Sequence, residues 1–302
     1  MVFKNSAAKL KVEQLNHPLA WEDFYNRFNV QLKNAAAHSL LVDTTAIHFF
    51  RPEMVLTLVN AARLWRASRG IPIDVNFNHE AQAYLKRMDL FSACADYLQP
   101  MRDVEDRYDR SSASRKLMEV TEISSIRTEN WPSVVIAMDR GQSILENAGV
   151  DAEIVDEVVE ILSEVGQNIT HSTDTGFAII QSYENPAEIG GRRVYIAVSD
   201  LGIGIEASLC KRFNPVDVGC NSGSDFIIHA LKKGVSSRTE TRGIGLSDVS
   251  RKVGRARGIL FIRSCSSRVM YVNGELKEKD DDLVHIPGVQ VYITVFGDAN
   301  WQ

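Results

Sequence analysis

The chain has 302 residues, 44% of them hydrophobic and 24% charged, and a formal net charge of −5. That length suffices for two cores of ordinary size, and the acidic balance argues against broad nucleic-acid binding. The N-terminus is polar and charged and no apolar run reaches about 18 residues, so no signal peptide and no membrane span are expected, and a cytoplasmic location is. The four cysteines, Cys94, Cys210, Cys220 and Cys265, lack CxxC spacing, which suits free thiols and gives no reason to expect zinc.

The first third alternates strand and helix. Ser39-Leu-Leu-Val-Asp43 reads as a short buried-type strand. A helix is predicted over 52–69, with Pro52 in its first turn and Val55, Leu58, Val59, Ala62 and Trp65 on one stripe. Gly70 ends it, 71–77 reads as the next strand, and 80–88 as another helix. Strand–helix–strand–helix predicts an α/β layer domain over 1–98. His38, His48 and His79 read as surface or core histidines. The stretch 99–116 is charged and then Ser-rich, as in a linker or connecting helix.

The second half, 117–302, opens with a predicted strand over 117–123 and a helix over 131–148. A further helix over 151–171 carries Ile154, Val155, Val158, Val159, Ile161, Leu162, Val165 and Ile169 at helical spacing, with Asp151 as N-cap. A second stripe runs Glu153, Glu157, Glu160, Glu164, Asn168 and His171. Glu153 and Glu157 read as a solvated acidic face. Glu164 and Asn168, one turn apart, border the apolar stripe. There a carboxylate can take a proton and an amide can help ligate a hard cation; a plain polar face is the other reading.

A strand over 194–199 breaks at Asp200-Leu-Gly-Ile-Gly204. This is either a turn or a site in which the carboxylate accepts from an exocyclic amine and the glycines admit a ring to the backbone. Residues 206–242 contain Gly219, Gly223 and Gly234 and are expected to form a cover that is mobile in part. Gly243 and Gly245 then open a helix that starts with Leu246. Amides at such a start bind phosphate, and Arg238 and Arg242 can add charge; a flexible turn is the alternative. The segment is neither a Walker loop nor a dinucleotide fingerprint. Basic residues over 251–257 are assigned to bound triphosphate or to local structure. Strands over 258–264 and 287–296 close the chain.

Taken in order, these three segments resemble the GHKL family of ATP-binding domains, the Bergerat-fold two-layer α/β sandwich. The resemblance covers roughly residues 115–297 and is closest to the anti-sigma-type kinases. It implies Glu164 as general base, Asn168 as magnesium ligand and His171 near the phosphates. It also implies Asp200 as reader of the adenine amine, with Gly202 and Gly204 beside it, and Arg242, Gly243, Gly245 and Leu246 around the phosphates. Two positions depart from the pattern. Val289 stands where a Thr commonly follows the Gly, and Glu206 rather than a basic residue follows Ile205.

The first domain resembles, more loosely, the STAS domains of anti-sigma antagonists. The position where that family carries a phosphoacceptor serine falls on Pro52, which has no hydroxyl. Together these resemblances imply ATP and Mg as cofactors and a protein partner, a STAS or other regulatory protein. The expected activity is a slow magnesium-dependent ATPase switch. A serine/threonine kinase acting on a separate STAS protein and a nucleotide-binding module without hydrolysis are the alternatives. Members of the family often dimerise, so a homodimer stays open.

Overall fold

The structure is a computed structural model that describes residues 6–105, 114–124, 133–172, 175–184, 192–232, 235 and 249–297. The chain divides into two compact units, Met1–Ala113 and Ser114–Gln302. It is mixed α/β: a parallel four-stranded sheet belongs to the first unit and an antiparallel seven-stranded sheet to the second.

The first unit runs β1 (Ser6–Lys11), α1 (Pro18–Lys33), β2 (Ala37–Asp43), α2 (Pro52–Arg69), β3 (Ile73–Asn76), α3 (His79–Arg87), α4 (Leu90–Ala93) and β4 (Leu98–Pro100). Its strands pair in the order β1-β2-β3-β4, all parallel. Each parallel step needs a crossover, and right-handed crossovers taken in one direction put the helices on one face. Leu40, Val42, Ile73 and Val75 are buried while Asp74 between them is exposed, as period-two alternation requires.

The predicted strands and helices of this unit appear close to their expected bounds. α1 is an addition. It buries Trp21, Phe24, Tyr25 and Phe28, and His17 accepts from the Ala20 N–H at 3.2 Å. The signal was present as Pro18 followed by aromatics at steps of three, one and three. β4 extends into the stretch assigned to the linker, and Met101 N–H donates to the Val75 carbonyl at 3.0 Å.

The second unit runs β5 (Leu117–Ser124), α5 (Ser133–Asn147), α6 (Ala152–Ser172), β6 (Thr175–Glu184), β7 (Arg192–Asp200), α7 (Gly204–Leu209), α8 (Pro215–Val218), α9 (Gly223–Ala230), α10 (Val249–Arg255), β8 (Ile259–Cys265), β9 (Ser267–Val272), β10 (Glu275–Asp280) and β11 (Ile286–Gly297). The sheet order is β10-β9-β8-β11-β7-β6-β5, and every pair is antiparallel. The last strand therefore lies in the middle, between β8 and β7.

One sheet face packs on helices. Val155, Val158, Ile161, Leu162, Val165 and Ile169 of α6 share a core with Ile180, Ile196, Val198, Leu260, Ile262, Val291 and Ile293. The apolar stripe read from the sequence of α6 is this contact. Alternate residues face the other way: Phe177, Phe261, Arg263, Gln290 and Tyr292 are all buried, with Phe261 stacked on Tyr292 at 5.5 Å. At one edge, β10 presents exposed charged residues, which discourage further strand pairing.

Part of the expected mobile cover proves to be core. Leu209, Cys220, Phe226, Ile227, Ala230 and Leu231 are buried in the cluster beneath the helices. Ser224, at the start of α9, is fully buried and gives both its N–H and its hydroxyl to Asp281, at 2.9 and 2.6 Å. Burial pushes the Asp281 carboxyl up, but hydrogen bonds from Ser224, Ser267 and Ser222 outweigh it and hold the group below its ordinary value. The glycines over 206–232 that suggested mobility lie at helix boundaries instead, Gly219 after α8 and Gly223 at the head of α9.

Candidate functional site

Asp200 is the last residue of β7 and is 4% exposed. Its Oδ1 accepts from the Gly202 N–H at 2.6 Å, closing the turn that the glycine segment predicted. On one side, Gly176 of β6 pairs with Asp200. A Cβ on Gly176 would fall 2.7 Å from a methyl of Ile169 and 2.8 Å from the Ser199 carbonyl oxygen. The C-terminal half of α6 therefore lies directly over the strand end that neighbours Asp200. Cross-strand partners share a face, so the Asp200 side chain stands on this helix-covered face too.

On the other side, Gly288 opens the main run of β11. It stands at φ +86°, and a Cβ there would meet the Asp200 carbonyl oxygen at 2.2 Å and its Oδ1 at 2.7 Å. Both the backbone conformation and the contact require glycine. Ser264 and Cys265 end β8 beside it, the register shifting between Ile286 and Val289 so that Val289 pairs with Ser264. Asp200, Gly204, Ser264, Cys265 and Gly288 thus converge at one end of the sheet from three strands and the start of α7. A buried carboxylate beside side-chain-free backbone can accept from a polar edge of a flat ligand laid against that backbone.

Glu164, Asn168 and His171 fall in the helical span of α6, and their side chains lie outside the described residues. Glu164 precedes and Asn168 adjoins Ile169, so the helix brings all three positions to this end of the sheet. Arg242, Gly243, Gly245 and Leu246 lie outside the described residues, as does Arg238. The magnesium expectation rests on Asn168. Among the described residues no group of three or more His, Cys, Asp or Glu side chains could hold a metal ion.

The acidic stripe of α6 has a partner. Arg255 of α10 bonds Glu157 at 2.7 Å and also Glu153, and Lys252 bonds Glu160. Glu157 is 14% exposed, so its reading as part of a solvated face is corrected: it lies under α10. The basic residues at 252 and 255 are local structure. They clasp the helix that follows the second glycine segment to the helix that carries Glu164 and Asn168.

Ser264 and Cys265 were not picked out from the sequence, and Gly288 entered only as the glycine before Val289. The available signal was Pro287-Gly288 at a strand start, which marks a close backbone approach but does not say to what. No family model and no curated protein matches the chain. No helix among the described residues is long and apolar enough to cross a membrane.

Proposed function

We propose that the second unit is a GHKL-type domain that binds Mg-ATP and hydrolyses it slowly, and that the protein is a regulatory ATPase. The observation that carries this reading is the convergence of Asp200, Gly204 and Gly288 at the end of the sheet over which α6 lies. A buried carboxylate next to two glycines that cannot tolerate a Cβ suits an adenine, whose exocyclic amine donates and whose ring needs a flat approach.

In this reading Asp200 orients the base, and its own acceptor geometry is set by the Gly202 N–H. Glu164 takes the proton from the attacking water, Asn168 holds magnesium, and the 242–246 segment receives the phosphates. Magnesium, when bound, neutralises charge on the phosphates. The clasp of Lys252 and Arg255 holds α10, which follows the phosphate segment in the chain, against α6, which carries the general base.

The first unit is proposed as a STAS-like docking module rather than a phosphoacceptor. Pro52 is buried at the start of α2, next to Glu53, which is itself buried against Arg51 at 2.8 Å. Burial pushes the Glu53 carboxyl up, with Arg51 pulling the other way. That position offers neither a hydroxyl nor access. The protein partner is proposed to be a regulatory protein.

Phosphate release from Mg-ATP by the full chain, with Glu164→Ala alongside, tests the reading. Release by the wild type that is lost in the variant, with ATP binding retained, is the expected result. A wild type that does not bind ATP would overturn it. Binding without release, with label transferred to a partner serine, would replace the ATPase with a protein kinase.

A further inference from the structure

Gly204 stands at φ +80°, and both peptide groups that flank it are held by side chains of β8. The Ile205 N–H donates to Ser264 Oγ at 2.9 Å. The Cys265 thiol donates to the Ile203 carbonyl, sulfur to oxygen 3.6 Å. A Cβ on Gly204 would fall 2.5 Å from Cys265 Sγ and 2.9 Å from Ser264 Oγ. The two atoms that bond the turn therefore also close the space beside it.

Cys265 itself stands at φ +53°, a conformation that side-chain-bearing residues seldom adopt. Strain of that kind persists where the surroundings over-determine it. Here the conformation places Sγ against the Gly204 turn. Burial also keeps the thiol above its ordinary value, hence protonated and able to donate at neutral pH. The third hold on the same turn is the Gly202 N–H on Asp200.

We infer that Ser264 and Cys265 are positioning residues for the nucleotide site: they lock the 202–205 turn and thereby set how Asp200 and the adjoining backbone meet the base. This deepens the nucleotide reading above and rests on it. Neither residue lies in the glycine segment, and neither needs to touch the ligand. Their effect passes through the turn, whose alternative conformations would swing the Gly202 N–H off Asp200.

Cys265 allows fold and positioning to be separated. Glycine at that position relieves the backbone conformation but deletes the thiol, so stability and binding should move in different directions. In the full chain, Mg-ATP affinity by calorimetry, thermal melting and amide hydrogen exchange are compared for the wild type, Ser264→Ala, Cys265→Gly and Cys265→Ser. Loss of one hydrogen bond predicts weaker Mg-ATP binding on the order of tenfold in Ser264→Ala and in Cys265→Gly. Cys265→Gly should melt at the wild-type temperature or above it. Cys265→Ser, which keeps a donor, should recover most of the affinity. The Ile205 amide should exchange faster in Ser264→Ala.

Affinities unchanged in both variants, or an affinity loss that simply follows the melting temperature, would overturn the inference. If the wild type binds no Mg-ATP, the nucleotide reading falls and the affinity claim falls with it. The lock on the turn is then judged by exchange alone, and an Ile205 amide that exchanges as in the wild type overturns that as well.

Discussion

The two sheets solve different problems. In the parallel sheet each strand neighbours the next one in the chain, so every pairing closes over a single crossover. In the antiparallel sheet β11 enters between β8 and β7, and the middle of the sheet is completed only by the last strand. The first arrangement repeats chain order in space. The second brings Asp200, Ser264 and Gly288 from distant parts of the chain into contact. A site assembled from long-range pairing depends on partners with no local signature: Pro287-Gly288 marks a close backbone approach, but not that it meets Asp200.

The comparison can be broken by asking which kind of residue each sheet depends on. The largest effect is expected in the parallel unit from removal of volume. Trp65 is fully buried on α2, and Trp65→Ala should cost about 3–5 kcal/mol, read by urea unfolding of the full chain with exchange at α2 amides. In the antiparallel unit the sensitive position is one without a side chain. Gly288→Ala puts a methyl against the Asp200 backbone at a positive φ and should cost about 2–4 kcal/mol, read by exchange at β7 and β11 amides. A loss below about 1 kcal/mol would mean that the strand end relaxes, and that the close approach is not a constraint.

Smaller effects sharpen the role of the helices above that sheet. Lys252→Ala removes the bond to Glu160 and should cost about 0.5–1 kcal/mol, a loss that shrinks as salt is raised. An effect independent of salt would assign Lys252 to packing instead.

The smallest effect concerns pH. Neither ring nitrogen of His229, on α9, has a hydrogen-bond partner among the described residues. Burial, with Lys232 nearby, holds its folded value below the ordinary 6.5. The unfolded chain therefore takes up a proton first as pH falls, and stability declines from about 6.5 downward until the folded form titrates as well. His229→Leu should remove that decline. Melting temperatures recorded between pH 7.5 and 5 would show it, and an identical slope in both proteins would discount His229 as the cause.

Local pattern carried much of the architecture. The 3.6-residue stripe of α6, the Pro52 start and Gly70 end of α2, and the β-branched run ending at Asp200 could all be read directly, because each depends on neighbours within a few positions. α1 was equally local and was passed over, although its aromatics lie on one face. Within the expected cover over 206–242, the described part is held by tertiary contacts. Gly and Ser suggest mobility, but Phe226 and Ile227 bury against the sheet, and Asp281 caps the helix from a distant loop. Tertiary burial overrode composition there.

By itself the sequence located helices α2, α3, α5, α6 and α10 and strands β2, β3, β5, β7, β8 and β11, and it placed Glu164, Asn168 and the glycine segments in an order that suggests one nucleotide site. Only the tertiary structure decided that β11 inserts beside β7, that Gly288 presses on Asp200, that Arg255 covers Glu157, and that Ser264 and Cys265 grip the turn at Gly204. Secondary structure follows from short-range sterics and periodic burial, whereas these contacts join segments whose proximity is set by sheet order, and sheet order has no local code.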